Sequence, residues 1–110
     1  MNEYLRHYTV AVKHPDVSGF EHLEMLMIRD KIAKQVNNLS EEEKEQLKNA
    51  DQQLLVQSDQ FHHALSQITN LQSERQRRQP PPNHWWWYLD VLTQLPARPQ
   101  YPQRPKLQPM

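Results

Sequence analysis

Six histidines are the side chains best suited to bind a metal ion or to act as a general base near neutral pH. None of them stands in a His-Glu-x-x-His motif, and the adjacent His62 and His63 would point about 100° apart on a helix. Glu3 and His7 are four residues apart and share a helix face, but this is also the spacing of an ordinary surface pair. Because two ligands do not complete a metal site, the sequence predicts neither a metal nor another cofactor.

The serines offer no activated nucleophile. None lies in a Gly-x-Ser-x-Gly elbow, and the single glycine, Gly19, also excludes a glycine-rich phosphate loop. Ser18 and Ser40 instead stand three residues before Glu21 and Glu43, which is the spacing of a helix-capping box. The chain contains no cysteine, so thiolate nucleophiles and zinc-thiolate sites are excluded. We therefore expect a protein that is not an enzyme.

Composition and charge indicate a small helical protein with a polar extension. A chain of 110 residues has room for one small domain, and its 36% hydrophobic residues fall below the roughly 45–50% of typical globular proteins. Residues 1–71 hold 7 basic and 11 acidic side chains, whereas residues 72–110 hold 6 and 2. No apolar run reaches the ~18 residues of a membrane span, and the N-terminus lacks a hydrophobic signal region. These features predict an acidic body, a basic C-terminal part and a cytoplasmic location.

The elements that must position any site are predicted to be helices. Asn2 and Pro15 bound a first helix over about 2–13, with a strand as the competing interpretation because of its β-branched residues. Ser18 begins a second helix over about 19–37, which has apolar residues on several sides and is therefore central. Ser40 begins a third helix at 41, where acidic residues in the first turn complement the helix dipole. The apolar stripe of the second helix consists of Met25, Ile28, Ile32 and Val36.

The third helical region carries a heptad-like apolar seam. One long helix from 41 to about 74 fits it, as do two helices broken near 58–60, where Ser58 or Asp59 would cap the second. We favour the break because a helix of about 34 residues is long for so small a domain. We interpret the seam as core within the chain rather than as a coiled-coil surface for another chain. Its residues are Leu47, Ala50, Leu54, Phe61, Ala64, Ile68 and Leu71.

Three consecutive tryptophans follow a basic, proline-containing linker over residues 72–83. In a helix over 84–95, capped by Asn83, Trp85 would lie on the apolar stripe, Trp86 on the polar side and Trp87 at the boundary. We expect Trp85 to anchor the segment. The other two rings either fold over the body or under the proline-rich extension of the same chain, or are exposed for a partner, and the function expected below uses them as exposed contacts. The remaining stripe residues are Tyr88, Val91, Leu92 and Leu95.

Residues 96–110 carry a proline at every third position from Pro96 to Pro105, which is the period of a polyproline II helix. The stretch PQYPQR, from Pro99 to Arg104, resembles the PxxPxR ligands of SH3 domains, in which prolines fill aromatic grooves and the arginine meets an acidic pocket. The alternative interpretation is a plain extension. We expect this segment to be mobile in isolation.

Two stretches, LEMLMIRD over 23–30 and WWWYLD over 85–90, resemble small bacterial helical proteins of unassigned function; the resemblance implies a helical fold and carries no activity. The sequence predicts an all-α domain of four or five helices over residues 1–95, with a proline-rich C-terminal extension over 96–110. We expect a non-catalytic accessory, adaptor or neutralising subunit that binds another protein. The residues predicted to make the contact are Trp86, Trp87, Arg75, Arg77, Arg78, Pro99, Tyr101, Pro102 and Arg104.

The alternative function uses the arginines and tryptophans of residues 75–87. Arginines neutralise phosphates while aromatic rings stack on unpaired bases, and the same residue types suit an anionic membrane surface. A formal net charge of zero and an acidic body oppose long-range attraction to either polyanion. Nucleic acid and membrane surfaces therefore rank below protein as the expected partner.

Overall fold

The computed structural model describes residues 2–95, which form six α-helices and two short 3-10 helices. The all-α prediction is confirmed, although there are more helices than the four or five expected. No strand occurs within these residues, and none of their helices is long and apolar enough to cross a membrane. The predicted extension over 96–110 lies outside the described part of the chain. The α-helices are α1 (Glu3–Ala11), α2 (Gly19–Lys34), α3 (Glu41–Val56), α4 (Ser58–Ser66), α5 (Leu71–Arg78) and α6 (Leu89–Leu92), and the 3-10 helices are Val36–Asn38 and Trp85–Tyr88.

The helix starts follow from side-chain caps that the sequence predicts. The backbone N–H groups of Tyr4 and Leu5 have no partner within α1. They donate hydrogen bonds to Asn2 Oδ1 at 2.9 and 3.1 Å. Ser40 and Glu43 form a complete capping box at the start of α3. Glu43 also accepts the backbone N–H of Asn2 at 2.9 Å, so this carboxylate joins the starts of α1 and α3. Hydrogen bonds from the backbone N–H groups of Ser40 and Asn2 lower the pKa of Glu43.

α2 is the central helix, as its apolar surface predicts. It packs against α1, α4 and the 3-10 helix of the tryptophans, and Met25 and Ile32 of its predicted stripe are fully buried. At its start, a Cβ on Gly19 would lie 2.3 Å from the backbone oxygen of Ala64, so only glycine allows α2 and α4 to approach this closely. α2 ends at Lys34, short of the predicted end at 37, and the chain continues into the first 3-10 helix.

The predicted break in the apolar seam is confirmed. α3 ends at Val56 and α4 begins at Ser58, with Gln57 between them out of helical geometry at φ −105° and ψ 23°. The predicted cap is wrong, because Ser58 is the first residue inside α4 and is buried. The break directs α4 onto α2, so the seam packs within the chain as expected. The seam residues found in the core are Leu47, Ala50, Leu54, Phe61 and Leu71.

The prediction of a linker over 72–83 is wrong for its first half, which is helix α5. Asn70 Oδ1 accepts a backbone N–H of the first turn at 3.0 Å and so begins the helix. Leu71 is buried, which stabilises a segment whose basic composition does not indicate a packed helix. The helix stops where Gln79 takes left-handed backbone geometry at φ 49° and a proline follows.

Candidate functional site

The tryptophan segment, Trp85–Tyr88, is turned into the protein. In its 3-10 geometry successive side chains point about 120° apart, and the inward rings are covered by different helices. Trp86 is 2% exposed and lies beside Arg29 of α2, whereas Trp87 is 0% exposed and lies beside Arg78 of α5. Of the two alternatives, the packing of these rings over the body of the same chain is confirmed, and their use as exposed contacts for a partner is wrong. Trp85, the predicted anchor, is only half-buried and meets Trp86 edge to face at 5.6 Å between centroids.

Asp30 of α2 holds both inward rings. Its Oδ1 accepts the indole N–H of Trp86 at 2.8 Å and that of Trp87 at 2.9 Å. The Nδ1 atom of His84 lies 2.9 Å from the same oxygen, and the His84 ring stacks on Trp86 with 4.5 Å between centroids. One carboxylate therefore provides the acceptor for two buried indole N–H groups, each of which costs about 1–3 kcal/mol when left without a partner.

Arg29, the preceding residue, joins Trp86 to the rest of the body. Its guanidinium carbon lies 4.1 Å from the centroid of Trp86, and its nitrogens bind the carboxylate of Asp51 in α3 at 2.8 and 2.9 Å. The Tyr8 hydroxyl of α1 donates to the same carboxylate at 2.5 Å. Arg29 and Asp51 are 6% and 0% exposed, so the ion pair is shielded from water. The cluster thus connects α1, α2 and α3 with the tryptophan segment.

Arg75 fastens the segment from α5. Its guanidinium binds both carboxylate oxygens of Asp90, at 2.7 and 3.2 Å, and donates to the backbone oxygen of Trp87 at 2.8 Å. The guanidinium carbon also lies 4.4 Å from the ring centroid of Tyr88. Because a bidentate pair fixes orientation as well as distance, Arg75 holds α5 against α6 and the tryptophan segment.

Glu74 of α5 binds the other two arginines of the basic cluster. It accepts hydrogen bonds from Arg77, from Arg78 at 2.8 Å and from the Thr69 hydroxyl at 2.5 Å. Burial raises the pKa of Glu74, but these hydrogen bonds and the two positive charges outweigh it and lower the pKa below its ordinary value. Arg77 keeps 65% of its side chain exposed, whereas Arg78 keeps 30% and Arg75 keeps 16%.

The residues predicted to contact a partner therefore fall into three groups. Four of them, Trp86, Trp87, Arg75 and Arg78, are largely covered by their own chain, whereas Arg77 pairs with Glu74 but is largely open to solvent. The remaining four lie outside the described residues. Sequence reasoning missed the aspartates that bind this cluster. A signal was present at Asp51, which lies next to a seam residue, because a carboxylate near an apolar face needs donors when it is buried. The undescribed predicted residues are Pro99, Tyr101, Pro102 and Arg104.

A groove of about 560 Å³ lies between α1 and α2, beside the loop that joins them. It brings together the predicted Glu3 and His7 pair of α1 with His14 of the loop and with a histidine and two carboxylates of α2. Val10 contributes apolar surface to the lining and is 51% exposed. Within residues 2–95 no three histidine, aspartate or glutamate side chains are arranged to hold a metal ion. The titratable residues of the lining are Glu3, Arg6, His7, His14, Glu21, His22 and Glu24.

His22 is the buried histidine of this groove. Its Nε2 lies 3.0 Å from the backbone oxygen of Pro15, and its ring meets Phe61 edge-on with 4.6 Å between centroids. Burial lowers the pKa of His22, against weaker opposing effects of the Pro15 hydrogen bond and of the charges on Glu21 and Asp16. A neutral ring that donates to a carbonyl fixes the loop between α1 and α2 against α4.

Most of the charged and aromatic residues over 75–90 therefore interact with other residues of the same chain and stabilise the fold. Among the described residues, the groove between α1 and α2 is a surface that these contacts leave open. Comparisons of the chain with protein-family models, with curated proteins and with solved structures found no match.

Proposed function

We propose that this chain is a non-catalytic accessory protein that binds another protein through its basic, proline-rich segment over 96–110. The segment contains five prolines, three cationic side chains and no acidic side chain. Its PxxPxR stretch supplies the prolines and the arginine that aromatic, acidic grooves of the SH3 type bind. The helical body acts as the scaffold that presents it.

The observation that carries this proposal is that the residues just before the segment are packed firmly against the helical body. Asp30 and Arg75 hold the tryptophan segment and α6 against the body, and Leu95 is exposed only three residues after α6 ends. A segment that leaves a rigid body from a fixed point loses less conformational freedom on binding than one on a loose linker. The closed packing of the tryptophans supports the proline-rich segment, rather than the rings, as the contact.

The alternative, binding of nucleic acid or a membrane through residues 75–87, loses support from the same geometry. Stacking on bases needs open rings, whereas Trp86 and Trp87 are buried. Arg75 and Arg78 are paired with carboxylates of the same chain. The charge of Arg75 is therefore compensated, and that of Arg78 is reduced by a carboxylate that it shares with Arg77.

Affinity capture from native extract with four baits tests the proposal. The baits are the full chain, the chain ending at Leu95, a motif variant (Pro99→Ala, Pro102→Ala, Arg104→Ala) and a matched control (Pro96→Ala, Pro109→Ala, Lys106→Ala). The control removes the same number of prolines and cations from outside the motif. We expect the full chain and the control to retain proteins that the other two lose. The motif variant should bind the recovered partner at least about tenfold more weakly, which corresponds to roughly 1.4 kcal/mol.

Two results would contradict the proposal. If all four baits retain the same proteins, the segment is not the contact. If nuclease treatment of the extract abolishes capture by the full chain, the partner is nucleic acid and the alternative function is correct.

A further inference from the structure

The groove between α1 and α2 has an acidic lining with apolar side chains within it. Three glutamates and one arginine line it, which is a net charge of −2 with the histidines neutral. The arginine, Arg6, pairs with Glu3 at 2.5 Å, so the excess negative charge lies at Glu21 and Glu24. The apolar part of the lining is Val10, Ala11 and Val17. A ligand that suits this groove is cationic and carries apolar groups between its charges.

Residues 96–110 of the same chain have this chemistry. Arg98, Arg104 and Lys106 give the segment a charge of +3, since it has no acidic side chain. Tyr101 and Leu107, together with the prolines, supply apolar groups between and beside those cations. The two charge patterns are therefore complementary, and exposed charges of opposite sign attract over about 10 Å at moderate salt.

The two cations farthest from Leu95 can also extend far over the body. Arg104 and Lys106 lie nine and eleven residues after Leu95, so at 3.1 Å per residue an extended polyproline II chain carries them about 28 and 34 Å from it. These spans are a large part of the longest dimension of the protein, which is 42 Å. We infer that, when no partner is bound, the distal part of segment 96–110 occupies the α1–α2 groove of its own chain, with Arg104 and Lys106 against Glu21 and Glu24. A partner that binds the segment would displace it from the groove, and only this last step rests on the proposed function.

Amide NMR spectra of the full chain and of the chain ending at Leu95 test the inference without any partner. The shorter chain keeps the whole core, which extends from Leu5 to Leu89. We expect the amide shifts that differ between the two chains to cluster around Val10, Ala11 and Val17. They should be independent of protein concentration and shrink at high salt.

Two full-length variants separate charge complementarity from proximity. Glu21→Gln with Glu24→Gln should reduce the groove shifts roughly twofold or more, because it removes the excess negative charge. The matched control, Glu42→Gln with Glu45→Gln, changes two exposed glutamates of α3 outside the groove and should leave those shifts unchanged.

The inference is overturned if the shift differences are confined to residues next to Leu95, or if both variants reduce them equally. Differences that grow with protein concentration would also overturn it, because they would assign the groove to a second copy of the chain. None of these outcomes depends on the capture experiment, so the inference and the proposed function fail separately.

Discussion

Two faces of α2 carry charged residues, and these residues meet opposite environments. On one face, Arg29 is bound by Asp51 of α3, and Asp30 accepts two indole N–H groups. On the other face, Glu21 and Glu24 line an open groove beside α1 and are exposed. The residue types are similar, so the difference comes from what the tertiary structure places opposite them. The face with Arg29 and Asp30, the closed face, stabilises the fold. The face with Glu21 and Glu24, the open face, is available to another chain segment.

The largest expected effect tests the closed face at its buried ion pair. Asp51→Ala should lower the free energy of unfolding by about 3–5 kcal/mol, because the charge of Arg29 stays buried without its carboxylate. Urea denaturation followed by circular dichroism measures this loss. Glu45→Ala, at an exposed position on the same helix, should change the free energy by no more than about 0.5 kcal/mol. Equal losses for both variants would contradict the comparison of the two faces.

A smaller loss is expected at the acceptor of the indoles. Asp30→Ala should cost about 2–3 kcal/mol and shift the tryptophan emission to longer wavelength, because Trp86 and Trp87 lose their shared acceptor and become hydrated. Denaturation together with fluorescence of the native protein measures both effects. Lys34→Ala, at an exposed position of the same helix, is the control. A native emission spectrum in Asp30→Ala would show that the rings are held by other contacts.

The pH dependence of stability tests the border between the two faces, where His22 is buried beneath the groove. Because burial lowers its pKa in the folded protein below 6.5, the unfolded chain binds a proton more readily as the pH falls below 6.5. The contribution of neutral His22 is therefore complete above pH 6.5 and is lost as the pH falls from 6.5 to the lowered pKa. We expect His22→Gln to reduce the rise in unfolding free energy between acid and neutral pH. An unchanged pH slope in the variant would contradict this assignment.

The smallest effect is expected on the open face. Glu24→Gln should alter the unfolding free energy by no more than about 0.5 kcal/mol, because the side chain is exposed in the groove. Urea denaturation beside the Asp51→Ala protein gives the direct contrast. A loss of about 2 kcal/mol or more would mean that Glu24 has a structural partner and that the groove is not open in the sense used above.

Features that depend on neighbours along the chain follow from the sequence. The capping box of Ser40 and Glu43 needs only residues three positions apart, and the helix begins at the predicted residue. The break at Gln57 follows from the length that a single helix would require. α5 does not follow in this way, because its basic composition indicates a linker, whereas burial of Leu71 and the bidentate pair of Arg75 with Asp90 of α6 stabilise it.

The orientation of the tryptophans, in contrast, does not follow from neighbouring residues in the sequence. A helical wheel with 3.6 residues per turn places Trp85 inside and Trp86 on the polar side. The segment instead forms a 3-10 helix, whose side chains follow a different period. The observed orientation depends on Asp30, which lies 56 residues away from Trp86 in the chain. No local pattern connects residues at that separation.

The sequence by itself determines that the protein is helical, where the first three α-helices begin, and that acidic residues dominate the first part of the chain and basic residues the last. These properties depend on capping spacing, on apolar periodicity and on composition. Only the tertiary structure decides which aromatic rings are buried and which charges remain open. The physical reason is that a buried indole or guanidinium needs a specific partner within hydrogen-bond distance, and that partner comes from a distant helix.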